Sequence, residues 1–239
     1  MKKAIVVGAT SGIGKGIAQI LVDNDYKVGI TGRRLNLLED LKKENPDKYF
    51  LKCFDVADTK NISKYLNELT QELSGLDLIV ISSGNGDLDE ELDFEVEKKT
   101  IDVNVTGFTA LADWSFNYFK QQKFGHLVAI TSIAGLRGNR ITPSYSASKA
   151  FQMIYLEGLR QKSRKLKYQI NITDIRPGLV DTDMAKAEVK FWIASVNKAS
   201  KQIFKAIKRK RKIVYITKRW ILIAVVAKVL PNYIYERIY

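Results

Sequence analysis

Hydrophobic and polar residues along this chain alternate with two periods. Short apolar runs rich in β-branched residues fall near 3–7, 27–31, 48–54, 76–81, 126–131, 169–175 and 213–216, and their lengths suit buried strands. Between most of them apolar positions recur at helical spacing, as in Ile13, Ile17, Ala18, Ile20 and Leu21 after the first run. Strands alternating with helices predict an α/β fold, a doubly wound seven-stranded parallel sheet with helices on both faces. No solenoid repeat, low-complexity tract or linker interrupts the pattern, so residues 1–239 read as a single domain.

Ligands bind such sheets beyond the carboxyl ends of the strands, so the residues that follow each run are the candidate site. After the first run comes Gly8-Ala9-Thr10-Ser11-Gly12-Ile13-Gly14. Gly8 permits a tight exit from the strand. Gly12 and Gly14 let the backbone approach a pyrophosphate at the helix N-terminus, where unpaired N–H groups point at an anion. Thr10 and Ser11 add hydroxyl donors. The spacing is neither G-x-G-x-x-G nor a P-loop, since Gly16 stands where the latter needs Ser or Thr for magnesium.

Farther along, Tyr145-Ser146-Ala147-Ser148-Lys149 lies thirteen residues after Ser132. A phenol and an ammonium four residues apart share one helix face, and the cation favours the phenolate. A tyrosine near its usual pKa of about 10 is a poor base at neutral pH, so the spacing predicts that Lys149 lowers the pKa of Tyr145.

In this combination and order the chain resembles the short-chain dehydrogenase/reductase family. The order runs from the turn at 8–14 through Asp55-Val56, Asn104, Ser132 and Tyr145 with Lys149 to Pro177-Gly178 and Thr182, nearly the whole chain. Two departures are visible: Val7 replaces the usual Thr, and Ser82-Ser83-Gly84 replaces Asn-Ala-Gly. The resemblance implies a single Rossmann-type domain and an alcohol dehydrogenase or ketone reductase. Tyr145 would exchange the proton at the substrate oxygen and Ser132 would position that oxygen. Lys149 would bind the nicotinamide ribose, and Asn104 would hold a water that relays protons from Lys149. Further cofactor contacts would come from Ile13, Val56, Ser83, Gly84, Tyr145, Pro177, Gly178, Val180 and Thr182. The family's assembly implies a homodimer or homotetramer.

Cofactor choice is read at the end of the second run, where Arg33 and Arg34 stand in place of the Asp or Glu that would hold ribose hydroxyls. Guanidinium groups hold a 2′-phosphate through paired hydrogen bonds, so NADP(H) is expected over NAD(H). Asp55 is expected to accept from the adenine amino group. No metal is required. His126, the only histidine, starts the fifth strand and reads as structural. One cysteine, Cys53, excludes an internal disulfide and fits a reducing cytoplasm; with a strand beginning within three residues, no leader peptide is expected.

The segment from Asp183 to Asn197 is the expected lid, and Met184, Phe191, Trp192 and Ile193 make it an apolar ceiling suited to a hydrophobic or lipid-like carbonyl compound. The acidic loop from Asp87 to Asp93 reads as solvated surface. The net charge is +13, and ten Lys or Arg with no acid lie between Lys198 and Arg219. Eight apolar residues follow from Trp220, too few to span a bilayer, and Tyr233, Tyr235 and Tyr239 follow them. This segment, 198–239, admits a buried subunit contact or a peripheral membrane contact with Trp220 at the interface. Nucleic acid is disfavoured, since no recognised module or interleaved aromatics accompany the charge. The functional alternative is a non-catalytic dinucleotide-binding sensor or scaffold at a membrane surface.

Overall fold

In the computed structural model of the chain, which describes residues 1–182 and 192–238, seven parallel strands form one sheet. They are β1 (Lys2–Val7), β2 (Tyr26–Gly32), β3 (Tyr49–Cys53), β4 (Leu78–Ile81), β5 (Phe124–Ile130), β6 (Gln169–Pro177) and β7 (Ile213–Ile216), in the order β3-β2-β1-β4-β5-β6-β7. The chain winds outward in both directions from β1 and β4, so their carboxyl ends open the crevice where such sheets bind ligands. Register brings the exits level: Val7 pairs with Thr31 and Ile81, Ile81 with Ala129, and Ala129 with Asp174.

Strand alternation divides the core into two layers. Ala4 and Val6 pack with helices α1 (Gly12–Asp23), α2 (Leu35–Glu44) and α7 (Val196–Lys208) through Ile17, Leu21, Leu38, Leu41, Ile203 and Ile207. Ile5 and Val7 face the other side, against α3 (Thr59–Leu73), α5 (Phe108–Gln122) and α6 (Pro143–Leu166) through Leu66, Leu69, Leu111, Phe116 and Leu156. A short helix, α4 (Phe94–Ile101), runs into α5 through a π-helical stretch at Asp102–Gly107. The chain ends in α8 (Trp220–Val229) and α9 (Asn232–Ile238).

Several expectations are corrected here. Met184 and Phe191 lie outside the described residues, and Val196 and Asn197 open α7. The basic run is divided by β7: Lys208 to Lys212 precede it and Lys218 and Arg219 follow it, with about 13 Å of strand between them. Trp220 is 7% exposed and turned inward, so it is no interfacial anchor. Asp89, expected in solvent, is buried, and its side chain accepts from the Asp93 N–H at 2.9 Å. Cys53 is half-buried at the end of an edge strand. No described helix is long and apolar enough to cross a membrane.

Candidate active site

The turn after β1 is shaped by contacts that only glycine allows. Gly8 has φ +87°, and a Cβ there would stand 2.7 Å from the Ser83 amide nitrogen; one on Gly14 would stand 2.0 Å from the Gly8 carbonyl oxygen. The first turn of α1 is thus drawn against β1 and the end of β4, with Thr182 beside Gly12. Ser11 is the N-cap of α1, yet its side chain makes no capping bond. Instead Arg34 donates to Ser11 Oγ at 2.8 Å and Thr10 Oγ1 at 2.7 Å. The leading N–H groups of α1 therefore have no side-chain cap, and no acid occupies its first turn; this is the arrangement that receives an anion.

Arg33 and Arg34 are both exposed at the end of β2. Arg33 reaches Asp55 at 3.4 Å, and Asp55 also accepts from the Ala57 N–H at 2.9 Å as an ordinary turn cap. Next to them a cleft of about 140 Å³ is lined by Arg33, Asp55, Ala57, Lys98, Lys99 and Val103, among others. Val56 itself is buried in the core under α5.

The second half of the site lies where β4, β5 and α6 converge. Pro143 starts α6 with its fixed φ and no N–H to lose, which places Tyr145 in the first turn and Lys149 one turn deeper. Ser132 follows β5 and accepts from the Ala134 N–H at 3.1 Å. Lys149 is 4% exposed; its ammonium donates to the Ile130 carbonyl at 3.1 Å and Gln152 Oε1 at 3.2 Å. It stands 5.6 Å from the centre of the Tyr145 ring. Gly84 lies between Asn104 and Lys149, and the Tyr145 ring rests on Gly86 so closely that a side chain there would overlap it.

Asn104 sits in the π-helical stretch, fully buried, a distortion common at functional sites. Its amide clamps the Asn85 backbone, accepting from the N–H at 2.8 Å and donating to the carbonyl at 2.7 Å, and donates to Ser148 Oγ at 3.0 Å. Its own carbonyl accepts from Gln152 Nε2 at 2.8 Å. The Asn104 carbonyl is thus bonded to a side-chain amide that also bonds Lys149.

The electrostatics correct another expectation. Burial pushes the Tyr145 phenol above its usual pKa of 10, and a hydrogen bond with Ser132 only partly offsets this. Lys149 does not bring it below the usual value. Burial instead pulls Lys149 itself down to about 8, while the carboxylate of Asp174 works to raise it. Asp174 is fully buried on β6, paired with Arg176 at 2.7 Å and bonded by Thr131 Oγ1 at 2.6 Å. Arg176 also donates to the Tyr215 hydroxyl at 3.1 Å.

Beyond β6, Gly178 is covered by the Trp220 indole, and Val180 bridges Ala194. His126 is buried at the opposite end of the sheet, 2.8 Å from Thr173 Oγ1. Among the described residues no cluster of His, Cys, Asp or Glu could hold a metal ion.

The structure thus brings Gly8, Thr10, Ser11, Gly12, Gly14, Ser83, Gly84, Asn104, Ser132, Tyr145, Lys149, Gly178 and Thr182 to one edge of the sheet, with Arg33, Arg34 and Asp55 at its flank. Sequence reasoning missed Asn85, Gly86, Gln152 and Asp174. Only Gln152 carried a readable signal: Tyr145, Ser148, Lys149 and Gln152 form a polar stripe at i, i+3, i+4 and i+7 of one helix.

A family model described as short chain dehydrogenase matches residues 2–191. An uncharacterized oxidoreductase of Staphylococcus aureus (strain USA300) is 31% identical over 189 residues, covering 78% of this chain and 81% of that protein. Another, of Myxococcus xanthus (strain DK1622), is 34% identical over 193 residues, covering 77% and 74%. Among solved structures, a short chain dehydrogenase/reductase from Burkholderia phymatum in complex with NAD has a TM-score of 0.86 at 16% identity, covering 94% of this chain and 92% of that one. A variant of actinorhodin polyketide ketoreductase with NADPH has a TM-score of 0.81 at 20% identity, covering 90% and 95%.

Proposed function

Because this chain belongs to the short-chain dehydrogenase family and is an oxidoreductase by that kinship, we propose that it interconverts a carbonyl and a secondary alcohol using NADP(H). The observation that carries this reading is the convergence of Ser132, Tyr145 and Lys149 beside Gly84 at the mouth of the crevice. The residues present fit a dinucleotide: uncapped amides at α1 face where a pyrophosphate would lie, and a glycine cradle at Gly8 and Gly14 gives it room. Two structural neighbours contain NADPH and NAD respectively, which supports the cofactor class. Arg33 and Arg34 support the choice of the 2′-phosphate within it.

The nicotinamide ring, when bound, supplies or accepts the hydride. The protein manages the proton. A phenol whose pKa is raised by burial is protonated at neutral pH, which suits Tyr145 to donate to a carbonyl oxygen as it becomes an alcohol. Ser132, already bonded to that phenol, holds the same oxygen. Lys149 uses two of its three N–H donors on Ile130 and Gln152, leaving one for the cofactor ribose. Asn104 fixes the Asn85 backbone and so the loop that carries Gly84 and Gly86.

Residues 1–239 act in this proposal as one catalytic domain, with 183–197 as the lid and a hydrophobic or lipid-like substrate beneath it, in the cytoplasm. The alternative, a non-catalytic dinucleotide-binding sensor or scaffold at a membrane, is favoured only by the exposed apolar face of α8. Oxidation of NADPH and of NADH by the purified protein, across ketones and aldehydes of graded hydrophobicity, separates the two. NADPH-dependent turnover that rises with hydrophobicity is the expected result; dinucleotide binding without turnover of any compound favours the scaffold.

A further inference from the structure

Helix α8 is fixed to the body of the protein by one edge and at both ends. Trp220 and Ala224 are buried and Ala227 is half-buried, an i, i+4, i+7 line along one face. At the start of the helix the Trp220 indole covers Gly178 and meets the Trp192 ring edge-on at 6.1 Å. At its end Arg137 donates to the carbonyls of Ala227 at 3.4 Å and Leu230 at 3.1 Å, and its guanidinium lies 4.2 Å from the centre of the Tyr235 ring.

The rest of the helix is apolar and uncovered. Leu222 is 66% exposed, Val225 54%, Val226 55% and Val229 73%, with Ile221 and Ile223 beside them. Scattered exposed apolar side chains are ordinary, but a contiguous patch of this kind marks a contact surface. Lys218 and Arg219 flank its start and Lys228 its end, and the segment 217–230 contains no acid.

We propose that α8 lies flat in the headgroup and acyl boundary of a bilayer rich in anionic phospholipid, with Leu222, Val225, Val226 and Val229 immersed and Lys218, Arg219 and Lys228 on the headgroups. Ten residues make a helix of about 15 Å, half the hydrocarbon thickness, so the helix rests in the interface and does not span it. Charge selects this occupant over a second copy of the chain. Two copies meeting across this face bring their cationic borders together with no acid on α8 to pair them. An anionic lipid surface supplies both the apolar layer and the countercharge, and each cation at such a surface strengthens binding roughly fivefold. The same docking leaves Trp220 on the inward face of α8, over Gly178, so the helix stands between the bilayer and this side of the site; that relation to the site mouth rests on the site reading above, whereas binding itself does not.

The test is flotation of the full-length protein with vesicles of phosphatidylcholine alone and of phosphatidylcholine with phosphatidylglycerol. The expected result is binding to the anionic vesicles about tenfold or more above the neutral ones. It should be lost when Leu222, Val226 and Val229 are all changed to Gln, and weakened by Lys218→Gln with Lys228→Gln, while NADPH binding stays unchanged. These side chains are exposed, so the variants should fold. Failure to float, or equal flotation of the Leu222, Val226 and Val229 variant, overturns the proposal. So does a vesicle-free oligomer that the same variant dissociates, because the face is then a subunit contact. Turnover of a water-soluble carbonyl compound tests the catalytic reading separately.

Discussion

Lys149 and Gln152 are bonded through the lysine ammonium and the glutamine carbonyl at 3.2 Å, and the same amide donates to the Asn104 carbonyl at 2.8 Å. Gln152 is 1% exposed, so its amide meets the buried cation away from bulk solvent. An amide acceptor favours the charged form. Replacing Gln152 with Met should therefore lower the Lys149 midpoint from about 8 by about one unit. Gln152→Glu should raise it. The charges that face Lys149, chiefly Asp174, are the same in both variants, and the Tyr145 ring is unaltered. NMR titration of the lysine side chain checks this, and shifts in the same direction would remove the bridge from the account.

Arg34 is held by Thr10 and Ser11 and Arg33 by Asp55, which keeps two exposed guanidinium groups at the β2 exit. Changing both to Ala should weaken NADPH binding roughly tenfold to a hundredfold, the worth of one or two charge-assisted hydrogen bonds, and leave NADH binding nearly unchanged. Calorimetric titration with each nucleotide reads the difference; equal losses would remove the 2′-phosphate argument.

His126 has its pKa lowered to about 4 by burial, with Lys210 adding to the effect. The unfolded chain, with an ordinary histidine near 6.5, binds this proton more readily than the folded one. Stability should therefore be full above pH 6.5 and fall as pH drops from 6.5 to 4, by about 3 kcal/mol from this residue. Urea unfolding at pH 7 and at pH 4.5 should show that loss in the natural chain and a smaller one in His126→Gln.

Asp174 and Arg176 are two residues apart on β6 and both buried, on one face of the strand. Asp174→Asn leaves Arg176 without its countercharge and should cost about 3–5 kcal/mol of stability. Thermal unfolding checks the loss. Because Asp174 also favours the Lys149 ammonium, the same variant should lower the Lys149 midpoint.

The sheet was legible because alternation and β-branched runs are local properties: all seven strands fall within a few residues of their apolar runs. Gly8, Ser132, Tyr145 and Lys149 were legible because each follows a strand or shares a helix face. What was not legible depends on tertiary packing. Desolvation of the half-buried Tyr145 phenol reverses the direction of its pKa shift, and no spacing contains that surrounding. Asp174 reads as one polar residue in a strand until Arg176 and Thr131 are placed around it. The basic run and the apolar segment are neighbours in sequence, yet β7 carries the charges at Lys208 to Lys212 away from α8.

The most direct measurement is carbonyl-dependent NADPH oxidation by the natural chain beside Tyr145→Phe, with NADPH affinity measured for both. The predicted result is unchanged affinity and turnover reduced at least a hundredfold in the variant, the scale of a lost general acid. Equal turnover in the two proteins would contradict the assignment of Tyr145 as the proton donor and the reaction built on it.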